Sequence, residues 1–132
     1  MKRLVTLGLA CLALGCAPAE PVEMSAQAQG RLDEALAGRV AGPPVDCVNS
    51  SELRGNRTFG DGAILFEARG DILYLNQPPG GCGGLGPGRA FRTTTTVARM
   101  CRGDIITVFE PVSGAEYGGC GLGDFVPYRR ER

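Results

Sequence analysis

Four cysteines, Cys47, Cys82, Cys101 and Cys120, carry the most reactive side chains of the region after the N-terminal segment, and they lie 35, 19 and 19 residues apart. No two of them form the C-x-x-C pair that zinc ribbons and thioredoxin-like redox sites need. An even number of cysteines at such spacings in a short chain reads instead as two disulfides, provided that the chain reaches an oxidising compartment. Each bridge would contribute roughly 3 kcal/mol by restricting the unfolded chain. Three pairings are open. A local hairpin would join Cys82 to Cys101 and leave Cys47 to meet Cys120 where the first and last strands approach.

The other side chains with chemical potential are carboxylates and guanidinium groups, because the chain has no His and no Trp. Without an imidazole, the His-based triads and dyads and the His-containing zinc sites cannot be assembled. Asp61, Asp71, Asp104 and Asp124 could in principle pair for acid/base work, but each adjoins a glycine, where Asp is a common turn former. Arg89, Arg92, Arg99 and Arg102 fall within one short stretch. Planar guanidinium groups suit carboxylate or phosphate recognition, which makes these four the candidate anion-binding set. Two Arg-Gly-Asp tripeptides, beginning at Arg69 and Arg102, read as turns at hairpin ends.

Gly81-Cys82-Gly83-Gly84-Leu85-Gly86 has the letters of a dinucleotide fingerprint, yet Pro78-Pro79 precede it and no helical period follows. The strand, turn and helix N-terminus that would hold a pyrophosphate are missing from the pattern. The segment has an echo in Gly118-Gly119-Cys120-Gly121-Leu122-Gly123. Both read as tight turns pinned by a cystine rather than as anion-binding nests. No metal or cofactor is expected.

The compartment follows from the N-terminus, where Lys2 and Arg3 precede an uncharged run from Leu4 to Gly15 that ends at Cys16. A basic head and an apolar run of twelve residues make an export signal over 1–15, too short for a spanning helix of about 20 residues. Leu12-Ala13-Leu14-Gly15-Cys16 resembles the lipobox of bacterial lipoproteins, in which the cysteine becomes the lipid-bearing first residue of the mature chain. Cys16 is accordingly the candidate lipidation site, and the membrane, reached through that lipid, is the expected partner. Each buried CH₂ of an acyl chain contributes about 0.8 kcal/mol to anchoring. Ala17-Pro18-Ala19 offers an ordinary cleavage site as the alternative, which would release a soluble periplasmic domain. Beyond Cys16 the chain has twelve arginines and fourteen carboxylates, a net charge of −2, so no nucleic-acid partner is expected.

The elements that must position these groups are mostly strands. Residues 16–24 contain Pro18 and Pro21 and read as a tether. Met24, Ala28, Leu32, Leu36 and Val40 recur every four positions and Ser25 can serve as the N-cap, which predicts a short amphipathic helix over 25–41 ended by Gly42-Pro43-Pro44. A β domain is expected over 45–128, followed by a polar tail at 129–132. Within it, Ala63–Ala68 and Asp71–Asn76 form a hairpin about Arg69-Gly70, and the second run, apolar on both faces, is a central strand. Phe91 to Val97 and Ile105 to Phe109 supply further strands. Asp124 to Tyr128 holds Pro127 and is expected at an edge. The predicted fold is mainly β: a small disulfide-stapled antiparallel barrel or sandwich preceded by one short helix.

The stretch from Pro43 to Pro127 resembles a family of small proteobacterial lipoproteins of unknown function. The resemblance rests on Cys47-Val48, Ile64 to Phe66, Tyr74-Leu75-Asn76, Cys82 with Leu85, Cys101-Arg102-Gly103-Asp104-Ile105-Ile106, and Cys120-Gly121-Leu122-Gly123-Asp124-Phe125. Gly83 stands where the family pattern would have proline. The resemblance implies a cell-envelope location, a disulfide-bearing β domain and no catalytic residues to carry over. A non-catalytic binding or structural accessory module, acting on a protein or small ligand that the residues do not name, is the expectation. A hydrolase-like enzyme using Asp and Arg side chains is the alternative.

Overall fold

Ser25 begins the ordered architecture as the N-cap of α1 (Ala26–Leu36), its hydroxyl accepting from the amide of Ala28 at 3.2 Å. The computed structural model describes Gly15 and residues 22–132. The export signal, Cys16 and the tether up to residue 21 lie outside the described residues apart from Gly15. After α1 come ten strands: β1 (Arg39–Ala41), β2 (Cys47–Asn49), β3 (Leu53–Phe59), β4 (Ala63–Ala68), β5 (Ile72–Asn76), β6 (Ala90–Thr93), β7 (Arg99–Cys101), β8 (Ile105–Phe109), β9 (Glu116–Gly121) and β10 (Phe125–Arg130). All pairings are antiparallel: β1-β10-β5-β4-β3 in one sheet, β6-β8-β9 in a second, and β2-β7 as a short ribbon.

The five-stranded sheet has two apolar faces because alternate residues of its central strands are apolar on both sides. On one face Ala63, Leu65, Leu73, Leu75 and Phe59 pack against Leu32, with Met24, Ala35 and Leu36 beside it. That is where α1 lies. On the other face Ile64, Phe66 and Phe125 meet Ile106 and Val108 of β8, Val48 of β2, and Cys82, Leu85 and Leu122 from the loops. Phe66 sits between Phe91 (5.7 Å is its spacing to Phe125; to Phe91 it is 6.0 Å, edge-on) and Phe125, a favourable arrangement for aromatic rings. The result is a sandwich of antiparallel sheets with a helix on its outer face; no barrel closes.

Several boundaries differ from those the sequence predicts, each for a local reason. The helix stops at Leu36 rather than running to residue 41, because Gly38 turns left-handed (φ 73°) and releases Arg39–Ala41 to pair with β10. Val40, expected on the helix face, is exposed on that edge strand. The tether ends before Met24, which packs onto the sheet face. Arg129 and Arg130 belong to β10 and not to a tail. Pro127 is not at an edge: β10 lies between β1 and β5. The Pro127 carbonyl accepts from Gly42 at 2.7 Å, so its nitrogen also points toward the short β1 side, where no N–H is needed. The Phe91 strand ends at Thr93, since the chain must leave β8 to bring Arg99–Cys101 against β2.

Candidate functional site

The disulfides are Cys47–Cys101 and Cys82–Cys120, closing separations of 54 and 38 residues. The hairpin expectation, Cys82 with Cys101 and Cys47 with Cys120, is therefore corrected. Cys47 and Cys101 are direct partners across the β2–β7 ribbon, a pairing between segments remote in sequence. Cys82, fully buried, ties the first glycine loop to β9, so the two glycine segments that echo each other are fastened to one another. Two disulfides are compatible with an extracytoplasmic location.

The four arginines predicted as an anion site do not converge. Arg89 stacks 3.7 Å over the ring of Tyr117 and donates to the Gly84 carbonyl at 2.6 Å. Arg92 pairs with Glu116 and lies over Phe109. Arg102 bridges Asp46 (3.4 Å) and Asp124 (3.2 Å) rather than meeting Asp104. Arg99 stands exposed on β7 opposite Asn49. Asp104 caps the turn it adjoins, accepting from the Cys101 amide at 2.7 Å. Asp61, Asp71, Asp104 and Asp124 sit at separate turns, and the two Arg-Gly-Asp tripeptides are turn segments after β4 and β7.

A different set of arginines shares a groove. It runs along the flank of α1 over the β3 side of the large sheet, as two adjoining clefts of about 580 and 470 Å³ that share Glu34, Ala35 and Arg57. Arg31 comes from α1, Arg39 from β1, Arg54 and Arg57 from β3, and Arg130 from β10. Three carboxylates stand among them: Glu34, Glu67 and Asp71.

At one end of the groove the charges are fixed by each other. Arg39, its side chain 6% exposed, donates through Nη2 to Asp71 Oδ1 and through Nη1 to the Asp71 carbonyl, both at 2.6 Å. Arg130 donates to the other carboxylate oxygen at 2.5 Å. Asp71 itself is left-handed (φ 57°), at the end of a three-residue turn where the sequence predicts a tighter one. Hydrogen bonds from Arg39 and then Arg130 hold its carboxyl below the usual carboxylate range. A carboxylate gripped this way is a weak proton acceptor and serves to orient the two guanidinium groups.

At the other end the guanidinium groups are more open. Arg57 pairs with Glu67 at 3.2 Å, both about half exposed, and Arg31 lies over the Phe59 ring at 5.9 Å. Arg54 makes no ion pair among the described residues. Chemically the groove can receive anions through Arg31, Arg54 and Arg57 above an apolar floor of Ala35 and Phe59. The sequence conceals it, because its arginines lie on four elements and are joined only by the sheet order. No group of His, Cys, Asp or Glu that could hold a metal occurs among the described residues. No helix among them is long and apolar enough to cross a membrane. No family model, curated protein or solved structure matches the chain.

Proposed function

We propose that this chain is a non-catalytic binding module of the bacterial cell envelope, held facing the periplasm by a lipid on Cys16, in keeping with its resemblance to small proteobacterial lipoproteins. The observation that carries the reading is the use of the cysteines. Cys47, Cys82, Cys101 and Cys120 are all taken up in two disulfides, which leaves Cys11, inside the apolar run of the signal, and Cys16, directly behind Leu12-Ala13-Leu14-Gly15, where the lipobox pattern puts the acylated thiol. The disulfides themselves call for an oxidising compartment, which the export signal supplies.

Binding is favoured over catalysis by how the charged groups are placed. Two of the three groove carboxylates, Asp71 and Glu67, are engaged by arginines, and the more open guanidinium groups surround a cleft suited to an anionic partner. The test is fractionation of cells producing the full chain. The wild type is expected in membranes after an alkaline wash, and Cys16→Ser in the soluble fraction. Equal partition of the two forms contradicts the anchoring.

A further inference from the structure

β3 pairs with β4 on one side and, among the described residues, with no strand on the other. Its outer side therefore presents a row of main-chain N–H and C=O groups, a template for another strand. A bulge between Leu53 and Gly55 leaves a regular run from Gly55 to Phe59, still longer than the opposite edge, β1, which has three residues and runs into Pro43-Pro44. α1 lies alongside β3, and the cleft between them is lined by Arg31, Glu34 and Ala35 from the helix and Arg57, Thr58 and Phe59 from the strand. An edge strand beside a helix is the geometry by which extended peptides add to a sheet, with main-chain pairing for affinity and side-chain pockets for selection.

Charge decides which strand fits. Arg54 and Arg57 stand on β3, and Arg31 of α1 lines the first cleft with Arg57, with Glu34 and Glu67 as the nearby acids. Two copies of β3 paired about the middle of the strand would gather four arginines into one short ribbon, and like charges close together across strands are destabilising. The same groups turn away basic strands and attract acidic ones.

We propose that the β3 edge and the α1–β3 cleft bind an extended acidic segment of a partner protein. Its main chain pairs with β3, its carboxylates meet Arg54, Arg57 and Arg31, and a small side chain rests on Ala35 and Phe59. This deepens the binding reading above and is independent of where the protein is anchored.

The test is fluorescence anisotropy with the full chain, purified from membranes in detergent, and a labelled octapeptide alternating Glu and Thr. Three comparisons accompany it: the same peptide with Lys for Glu, the Glu peptide N-methylated at alternate positions, and the Arg54→Glu/Arg57→Glu protein. The Glu peptide is expected to bind, with binding at least tenfold weaker after N-methylation or in the double variant and none of the Lys peptide. Equal binding of the N-methylated peptide would mean charge attraction without strand addition and would overturn the proposal. So would the absence of binding by the Glu peptide, or a β3-mediated dimer in sedimentation. Repeating the titration with Cys16→Ser separates the two readings, since loss of the anchor leaves the anisotropy unchanged.

Discussion

Asn76, at the end of β5, holds Gly123 by both of its main-chain groups: its amide donates to the Gly123 carbonyl at 2.8 Å, and the Gly123 N–H donates back to Asn76 Oδ1 at 2.9 Å. The asparagine is 0% exposed, and the pair fixes the turn between β9, which carries Cys120, and β10. Gly123 is required there, since a Cβ would lie 2.7 Å from the carbonyl oxygen of Gln77.

Replacing Asn76 with Leu, of similar size, leaves a buried N–H and C=O of Gly123 without partners. At 1–3 kcal/mol for each such group, the expected loss is about 3 kcal/mol in urea unfolding. Hydrogen exchange at the Gly123 amide should accelerate in step. An unchanged midpoint would show that the turn is held by its neighbours alone.

The disulfide pairing makes a separate prediction. Peptide mapping without reduction should recover Cys47 joined to Cys101 and Cys82 joined to Cys120. A fragment joining Cys82 to Cys101 would contradict the fold. Removing Cys82 and Cys120 together by Ala substitution should lower stability by about 4 kcal/mol from the closed loop alone. Loss of packing at buried Cys82 adds to this.

Acid should weaken the protein through two identified carboxylates. Asp71 is held low by Arg39 and Arg130, and Glu110 by the Ser113 hydroxyl and then the amides of Val112 and Ser113. A carboxyl lowered in the folded state adds stability above its ordinary pKa of about 4, and that stability is lost as the pH falls through the folded value. Asp71→Asn keeps a residue that tolerates the left-handed backbone but removes the charge. Its melting temperature should lie below that of the wild type above about pH 5, and the gap should close toward pH 2. A gap independent of pH would exclude the ion pairs as its cause.

What the sequence made legible was local. The Ser25 cap, the β4–β5 pair and the apolar run of β8 follow from short-range periodicity, and all are present. What it concealed was set by pairing at a distance. Cys47 meets Cys101 because β2 and β7 pair across 54 residues, and nothing near either cysteine signals it. Pro127 obeys the rule that proline avoids ladder positions needing an N–H, but only the position of Gly42 shows which side of β10 is exempt. Arg89 to Arg102 are neighbours in sequence and were separated by turns and alternation. Arg31, Arg39, Arg54, Arg57 and Arg130 were gathered by the sheet.

The mature N-terminus tests the lipid anchor on Cys16 most directly. Mass spectrometry of the protein isolated from cells should find a chain that begins at Cys16 and carries a thioether-linked diacylglycerol. An unmodified chain beginning at Glu20 would contradict it.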